Sequence, residues 1–158
     1  MESTSSSALI TIRQTMKLYE QCLDVVRQRH QLSRLEAIII SFLHNNPGHD
    51  TVGEIADMRM LSKGNVSRGA DSLIKRGFLE RIPDQVDRRW VHLKLKDEAE
   101  PIVRDITRAS RVFGKQAFAG FSEEDLKTFH ELHQRLAANV EQHFERSHAP
   151  HGKQGRQE

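Results

Sequence analysis

At Gly77 the spacing of apolar residues switches from that of a helix to that of a strand. Before it, Val66, Ala70, Leu73 and Ile74 recur at steps of three and four, on one side of a helix that Ser62 is placed to cap. After it, Phe78–Ile82 reads as one strand and Trp90–Leu95 alternates as a second. The polar, turn-prone stretch 83–89 between them makes a hairpin with a long charged tip. Gly77 suits a left-handed helix end, with Phe78 folding back towards Leu73. Upstream, Thr51-Val52-Gly53-Glu54 fits a capping box that starts a short helix to about Met58, and Met60-Leu61 is a tight connection.

Helix, short turn, helix, then a two-stranded hairpin is the order of a winged helix-turn-helix, whose second helix enters the major groove of DNA. The flanks are helical. Leu9, Ile12, Met16, Tyr19, Leu23 and Val26 form a heptad stripe that wants a partner helix. Ser33-Arg34-Leu35-Glu36 fits another capping box, and the helix it opens runs to the Asn45-Asn46-Pro47-Gly48 stop. Two helices follow the hairpin. Ile102, Ile106, Ala109, Phe113 and Ala117 share one side of the first, which Gly120 ends. Leu126, Phe129, His133, Leu136, Val140 and Phe144 line the second, which starts at Ser122 with Phe121 and Leu126 at the staple positions.

The expected fold is therefore mainly α with a small β-hairpin wing. Its segments are a flexible N-terminus (1–7), a helix whose stripe wants a partner (8–31), a winged helix-turn-helix domain (32–96), two C-terminal helices (97–146) and a disordered tail (147–158). At 158 residues this suits one domain with helical extensions. The longest near-apolar run, Ala37–Leu43, is too short to cross a bilayer, so no membrane partner is expected. The first residues lack a basic start followed by an apolar stretch, which makes the cytoplasm the expected compartment.

The whole chain nets only +2, but the charge is unevenly spread. Between Arg59 and Lys96 ten Lys/Arg stand against four Asp/Glu, a net +6 that leaves −4 elsewhere. Such a segment fits a phosphate-binding surface or a solvated face. On the outward side of the Ser62-capped helix fall Gly64, Asn65, Arg68, Asp71, Ser72 and Lys75, with Ser67 at the margin. Arg68 can fork onto guanine and Asn65 onto adenine, each worth ~1–3 kcal/mol of discrimination. Lys63 and the open amides after Ser62 suit phosphate. An ordinary solvated helix face has the same pattern. The hairpin tip tilts the balance, because Arg88 and Arg89 have no apolar burial to explain them and fit the minor groove, with Asp87 orienting one of them.

Taken together, Val52–Ala56, Leu61–Arg68, Asp71–Arg81 and Asp87-Arg88-Arg89 resemble the core of the MarR family. The family's wing signature is Asp-x-Arg, five residues, then Leu-Thr. Here Asp87-Arg88-Arg89 is followed after five residues by Leu95-Lys96, with Asp97 placed to take over the threonine's capping role. Glu98 and Ala99 stand where the family usually has lysine and glycine. The resemblance implies a homodimer, its N-terminal and last two helices intertwined, on a pseudo-palindromic operator with half-sites about 10–10.5 bp apart. It also implies a repressor released by an effector.

Thiol-sensing members carry a cysteine near the position of Cys22, the chain's single cysteine, but within a Leu-Cys-Phe-Ala-Leu-Tyr-like run. Here Glu20 and Asp24 flank it, acids rather than the electropositive surroundings a reactive thiolate needs. His130 and His133 sit one helical turn apart without a fixed third ligand, so neither metal nor another cofactor is assigned. A small-molecule effector in a cleft between the dimerisation helices and the winged module remains open. So do a metal- or thiol-responsive regulator of the same fold and a winged helix that contacts protein. An enzyme is not expected: nothing resembles a nucleophile elbow, a phosphate-binding glycine loop or a spaced metal tetrad.

Overall fold

The computed structural model describes residues 2–148, with side chains described from 6 to 143. These fall into two compact units, divided between Ala117 and Phe118.

In the first unit, helix α1 (Glu2–His30) is followed by α2 (Arg34–Asn45), α3 (Val52–Arg59) and α4 (Lys63–Lys75). Strands β1 (Leu79–Pro83) and β2 (Val91–Leu95), a 3₁₀ turn at Asp97–Ala99 and α5 (Glu100–Ala117) complete it. Residues 2–7, expected to be flexible, are helical. Once the stripe from Leu9 nucleates a helix, extension is cheap, about 0.5 kcal/mol for each serine relative to alanine.

Caps set the boundaries that position the winged module. Ser33 and Thr51 both close reciprocal capping boxes with Glu36 and Glu54. Three helix ends turn through a left-handed residue with paired backbone bonds. At α1 these are Leu32 N–H to the Arg27 carbonyl at 2.9 Å and Gln31 N–H to Gln28 at 3.4 Å, with Gln31 at φ 52°. At α4 they are Phe78 N–H to Leu73 at 3.0 Å and Gly77 N–H to Ile74 at 3.0 Å, with Gly77 at φ 78°. At α3 the left-handed residue is Met60, φ 52°, a side-chain-bearing residue where glycine would be unstrained.

One core joins these elements. Ile39, Ile40 and Phe42 of α2, Ile55 of α3, Val66 and Leu73 of α4, Leu79 of β1, and Ile102 and Ile106 of α5 are all buried within it. Gly69 governs how closely α4 lies on α2. A Cβ there would stand 2.7 Å from Ile39 Cδ1 and 2.9 Å from Leu35 Cγ. The strands pair antiparallel, Leu79 opposite Leu95 and Pro83 opposite Val91, so Phe78 and Trp90 lie just outside the ladder. An isolated bridge between Thr51 and His92 ties β2 to the loop before α3. Asp97 does not cap α5. It begins the 3₁₀ turn, whose own N-cap, Lys96, makes no side-chain cap bond; the turn closes instead through Ala99 N–H to the Lys96 carbonyl at 2.9 Å.

The second unit is α6 (Glu123–His148) and the turn before it. Ser122 caps it reciprocally with Asp125, and Phe118 meets Phe121 and Phe129 edge to face. Leu126, Phe129, Leu132, Leu136 and Val140 are exposed along the helix. Ser147 and His148, assigned to the tail by sequence, end the helix; residues 149–158 and the Phe144 side chain lie outside the described set.

Candidate nucleic-acid interface

α4 buries Val66, Gly69, Ala70 and Leu73, which leaves a polar side facing solvent. Ser62, Lys63, Gly64, Asn65, Arg68 and Lys75 are exposed, and Ser67 is half-buried. Ser62 Oγ accepts the Asn65 amide at 3.2 Å, so the amides of Lys63 and Gly64 remain directed outwards at the positive end of the helix dipole. Arg68 donates to Asn65 Oδ1. The two side chains act as a unit here: Asn65 must release that guanidinium before its amide can fork onto a base. Nothing lies within 4 Å of a Cβ built on Gly64. Packing therefore does not account for glycine there, and the bare backbone leaves room for another molecule to come close.

Ser72 is not on that free side. Its hydroxyl donates to Glu36 Oε1 at 2.8 Å, and Glu36 is buried in α2. At 100° per residue Ser72 stands next to Arg76 and Gly69, on the flank drawn onto α2, and a buried carboxylate must be hydrogen-bonded. Arg76 meets the same need. It donates to Glu36 Oε1 at 3.2 Å, to the His30 carbonyl at 2.8 Å and to the Gln31 carbonyl at 3.1 Å, and lies over the Phe78 ring at 5.0 Å. Burial pushes the Glu36 carboxyl up, but bonds from the Ser33 backbone, Ser72, the Ser33 side chain and Arg76 outweigh it and hold the group below the usual glutamate range. One cation of the basic segment is thus committed to the fold, clamping the end of α1 to α2 and α4. Asp71, on the outer side of α4, pairs with Arg81 at 2.7 Å.

The wing tip is built on two aspartates. Asp84 Oδ1 accepts the amides of Val86 and Asp87, both at 2.7 Å, and Trp90 N–H closes on the Asp87 carbonyl at 2.9 Å. Asp87 grips Arg89 through Nε at 3.0 Å and Nη2 at 2.7 Å, and that contact holds the Asp87 carboxyl below its usual range. The expectation that Asp87 orients an arginine corresponds to this geometry. Arg88 beside it is exposed and makes no ion pair among the described residues. The tip also exposes Val86 and Trp90.

The other candidates stand apart. Cys22 is half-buried at α1, its Sγ 3.7 Å from Gln116 Oε1 of α5. In the second unit His130 Nε2 meets Gln134 Nε2 at 2.8 Å, and His133 stacks on Phe129 at 6.1 Å. Among the described residues no group of three or more His, Cys, Asp or Glu could hold a metal ion, and no helix is long and apolar enough to cross a membrane.

Residues 30–89, from the end of α1 through the wing tip, match the model of the MarR family. The chain is similar to the HTH-type transcriptional regulator PecS of Dickeya dadantii, 26% identical over 137 residues, spanning 85% of this chain and 80% of that protein. It also resembles the HTH-type regulator YsmB of Bacillus subtilis, 27% identical over 82 residues, 52% of this chain and 56% of that one. Among solved structures, a MarR-family regulator from Silicibacter pomeroyi superposes with a TM-score of 0.73 over 84% of this chain and 89% of its own, at 18% identity. That likeness gives the fold: helices around a two-stranded wing. The matched family is one of transcriptional regulators rather than enzymes, and over 30–89 this chain is similar to it through its helix-turn-helix and wing, set in a winged-helix fold.

Proposed function

We propose that this protein binds a pseudo-palindromic DNA operator as a cytoplasmic homodimer, with α4 in the major groove and the wing tip in the minor groove, and represses transcription until an effector releases it. One observation carries the reading. The uncommitted side of α4 is polar, small at its N-terminal end and cationic at Lys63, Arg68 and Lys75. That is the form a helix needs to bring donors to base edges while its flanks meet phosphate. The exposed Arg88 and the Asp87-held Arg89 extend the same chemistry to the tip.

Dimerisation is supported by uncovered apolar side chains. Leu9, Ile12, Met16 and Val25 of α1 are exposed, as is the α6 stripe in the second unit. Stripes of this length on single helices are what a second copy would cover. For the effector, a cleft of about 290 Å³ is lined by Met16, Tyr19, Ile38, Phe113, Arg34 and Arg59. Glu20, also in the lining, pairs with Arg34, so the apolar walls and the remaining guanidinium of Arg59 suit an aromatic or lipophilic acid.

Selection of bound duplexes from a random pool tests the reading. Recovery of inverted half-sites centred about 10–10.5 bp apart is expected. Recovery of no duplex above background, or of unpaired asymmetric sites, would count against it.

A further inference from the structure

We propose that His92 is a positioning residue that fixes the wing-tip turn to the helix-turn-helix only in its doubly protonated form, which makes DNA affinity depend on that proton. The inference rests on the DNA-binding reading and adds a regulatory input to it.

His92 lies in β2 between two carboxylates from different parts of the fold. Its Nδ1 meets Asp50 Oδ1 in the loop before α3, and its Nε2 stands 3.1 Å from Asp84 Oδ2 at the end of β1. A neutral imidazole carries one N–H, so it can satisfy one carboxylate but turns a lone pair on the other. Only the imidazolium donates to both. Each partner is anchored elsewhere. Asp84 uses its other oxygen to hold the amides of Val86 and Asp87, which shape the tip that carries Arg88 and Arg89. The Asp50 amide donates to Glu54 Oε2 at 3.1 Å, and the Asp50 carbonyl accepts from Leu93 N–H at 2.7 Å. One side chain therefore joins the wing-tip turn to the N-terminal cap of α3.

The other charged groups around the imidazole are paired among themselves. Behind Asp50, His49 pairs with Glu54 at 3.1 Å; behind Asp84, Asp87 is occupied by Arg89. Along the same face of the hairpin, Lys94 pairs with Glu80 at 3.8 Å. Hydrogen bonds to Asp50 first and Asp84 second raise the His92 pKa above its ordinary value of 6.5. A raised pKa means the bridge is complete below the ordinary value and is lost as pH rises through the raised one. Backbone bonds hold β2 to the loop before α3 at any pH, so what the proton controls is the added side-chain link to the tip turn, complete in the acidic to neutral range. The switch would pass through the range where histidine alone among side chains ordinarily changes charge.

The test compares wild type with His92→Gln, which keeps a donor and an acceptor but cannot titrate, on one duplex recovered from the selection. Binding is measured from pH 6 to 9 at fixed salt. Wild-type affinity is expected to fall by up to about tenfold per pH unit above the raised pKa, and to approach that of the variant at high pH. Parallel profiles for the two proteins would overturn the proposal while leaving DNA binding intact. Absence of binding by wild type at every pH would instead remove the reading beneath it. NMR titration of the His92 ring in the unliganded wild-type protein needs no variant and no DNA. A midpoint above 6.5 is expected, and one at or below it would overturn the proposal.

Discussion

Arg76 and Arg68 both belong to the basic segment, yet the fold gives them opposite duties, and Arg76→Ala separates them. The guanidinium of Arg76 holds one buried carboxylate oxygen and two carbonyls at the end of α1, at 3.2, 2.8 and 3.1 Å. Removing it leaves Glu36, 5% exposed, with Ser33 and Ser72 as its remaining partners. Breaking a buried pair costs about 3–5 kcal/mol, but this guanidinium is partly open to water, which replaces some of its contacts; about 2–3 kcal/mol is the reasonable net. For a chain of this size that lowers Tm by roughly 4–12 °C, measured at one protein concentration because a dimer's stability depends on it. The same variant should leave the salt dependence of DNA binding unchanged, since a phosphate contact contributes about 0.9 to that slope and Arg76 makes none. Arg68→Ala should do the reverse: no change in Tm, and about 1–3 kcal/mol less affinity for the preferred site with relaxed base preference. If Arg76→Ala kept its Tm and lost a unit of salt slope, the clamp would be wrong and the residue would belong to the interface.

Gly64→Ala should raise stability by up to about 1 kcal/mol in urea titration, because nothing meets the new methyl group and alanine favours helix. It should weaken DNA binding; unchanged affinity would show that no groove edge approaches there. Gly69→Ala sets the same helix gain against overpacking of about 1–3 kcal/mol on Leu35 and Ile39, so a net loss of about 1 kcal/mol is expected, and a stabilised protein would refute the close approach of α4 to α2. Glu36 sits below its ordinary pKa, so its contribution to stability is present above the usual glutamate range and fades as pH falls through the lowered value. Urea midpoints of wild type and Glu36→Gln should therefore differ at neutral pH and converge in acid; a constant difference would show that the charge is not what Ser72 and Arg76 hold.

The features readable from sequence were those carried by local chemistry. Ser33, Thr51 and Ser62 cap where their residue types demand, Gly77 turns left-handed as only glycine does cheaply, and the period change after it becomes the hairpin. What escaped was tertiary. Ser72 reads as a surface residue on a helical wheel, and only the depth of contact at Gly69 turns its flank onto α2. The signal available was Glu36, an acid within an otherwise apolar run, which a capping box accounts for only in part. Arg76 counted as one more positive charge because its partners lie up to 46 residues away in sequence. His92 looked like one member of an alternating strand, and its two aspartates, 42 and 8 residues away, meet it only once β2 bridges to Thr51.

The slope of log affinity against log salt for a duplex containing the selected site is the most direct measurement of whether α4 and the wing present their cations to DNA together. With Lys63, Lys75, Arg88 and Arg89 from each of two protomers, the slope should be steeper than about −3 and should lessen by roughly 1–2 in Arg88→Ala. A slope near zero, or no association at low ionic strength, would mean that these exposed cations face solvent and nothing more.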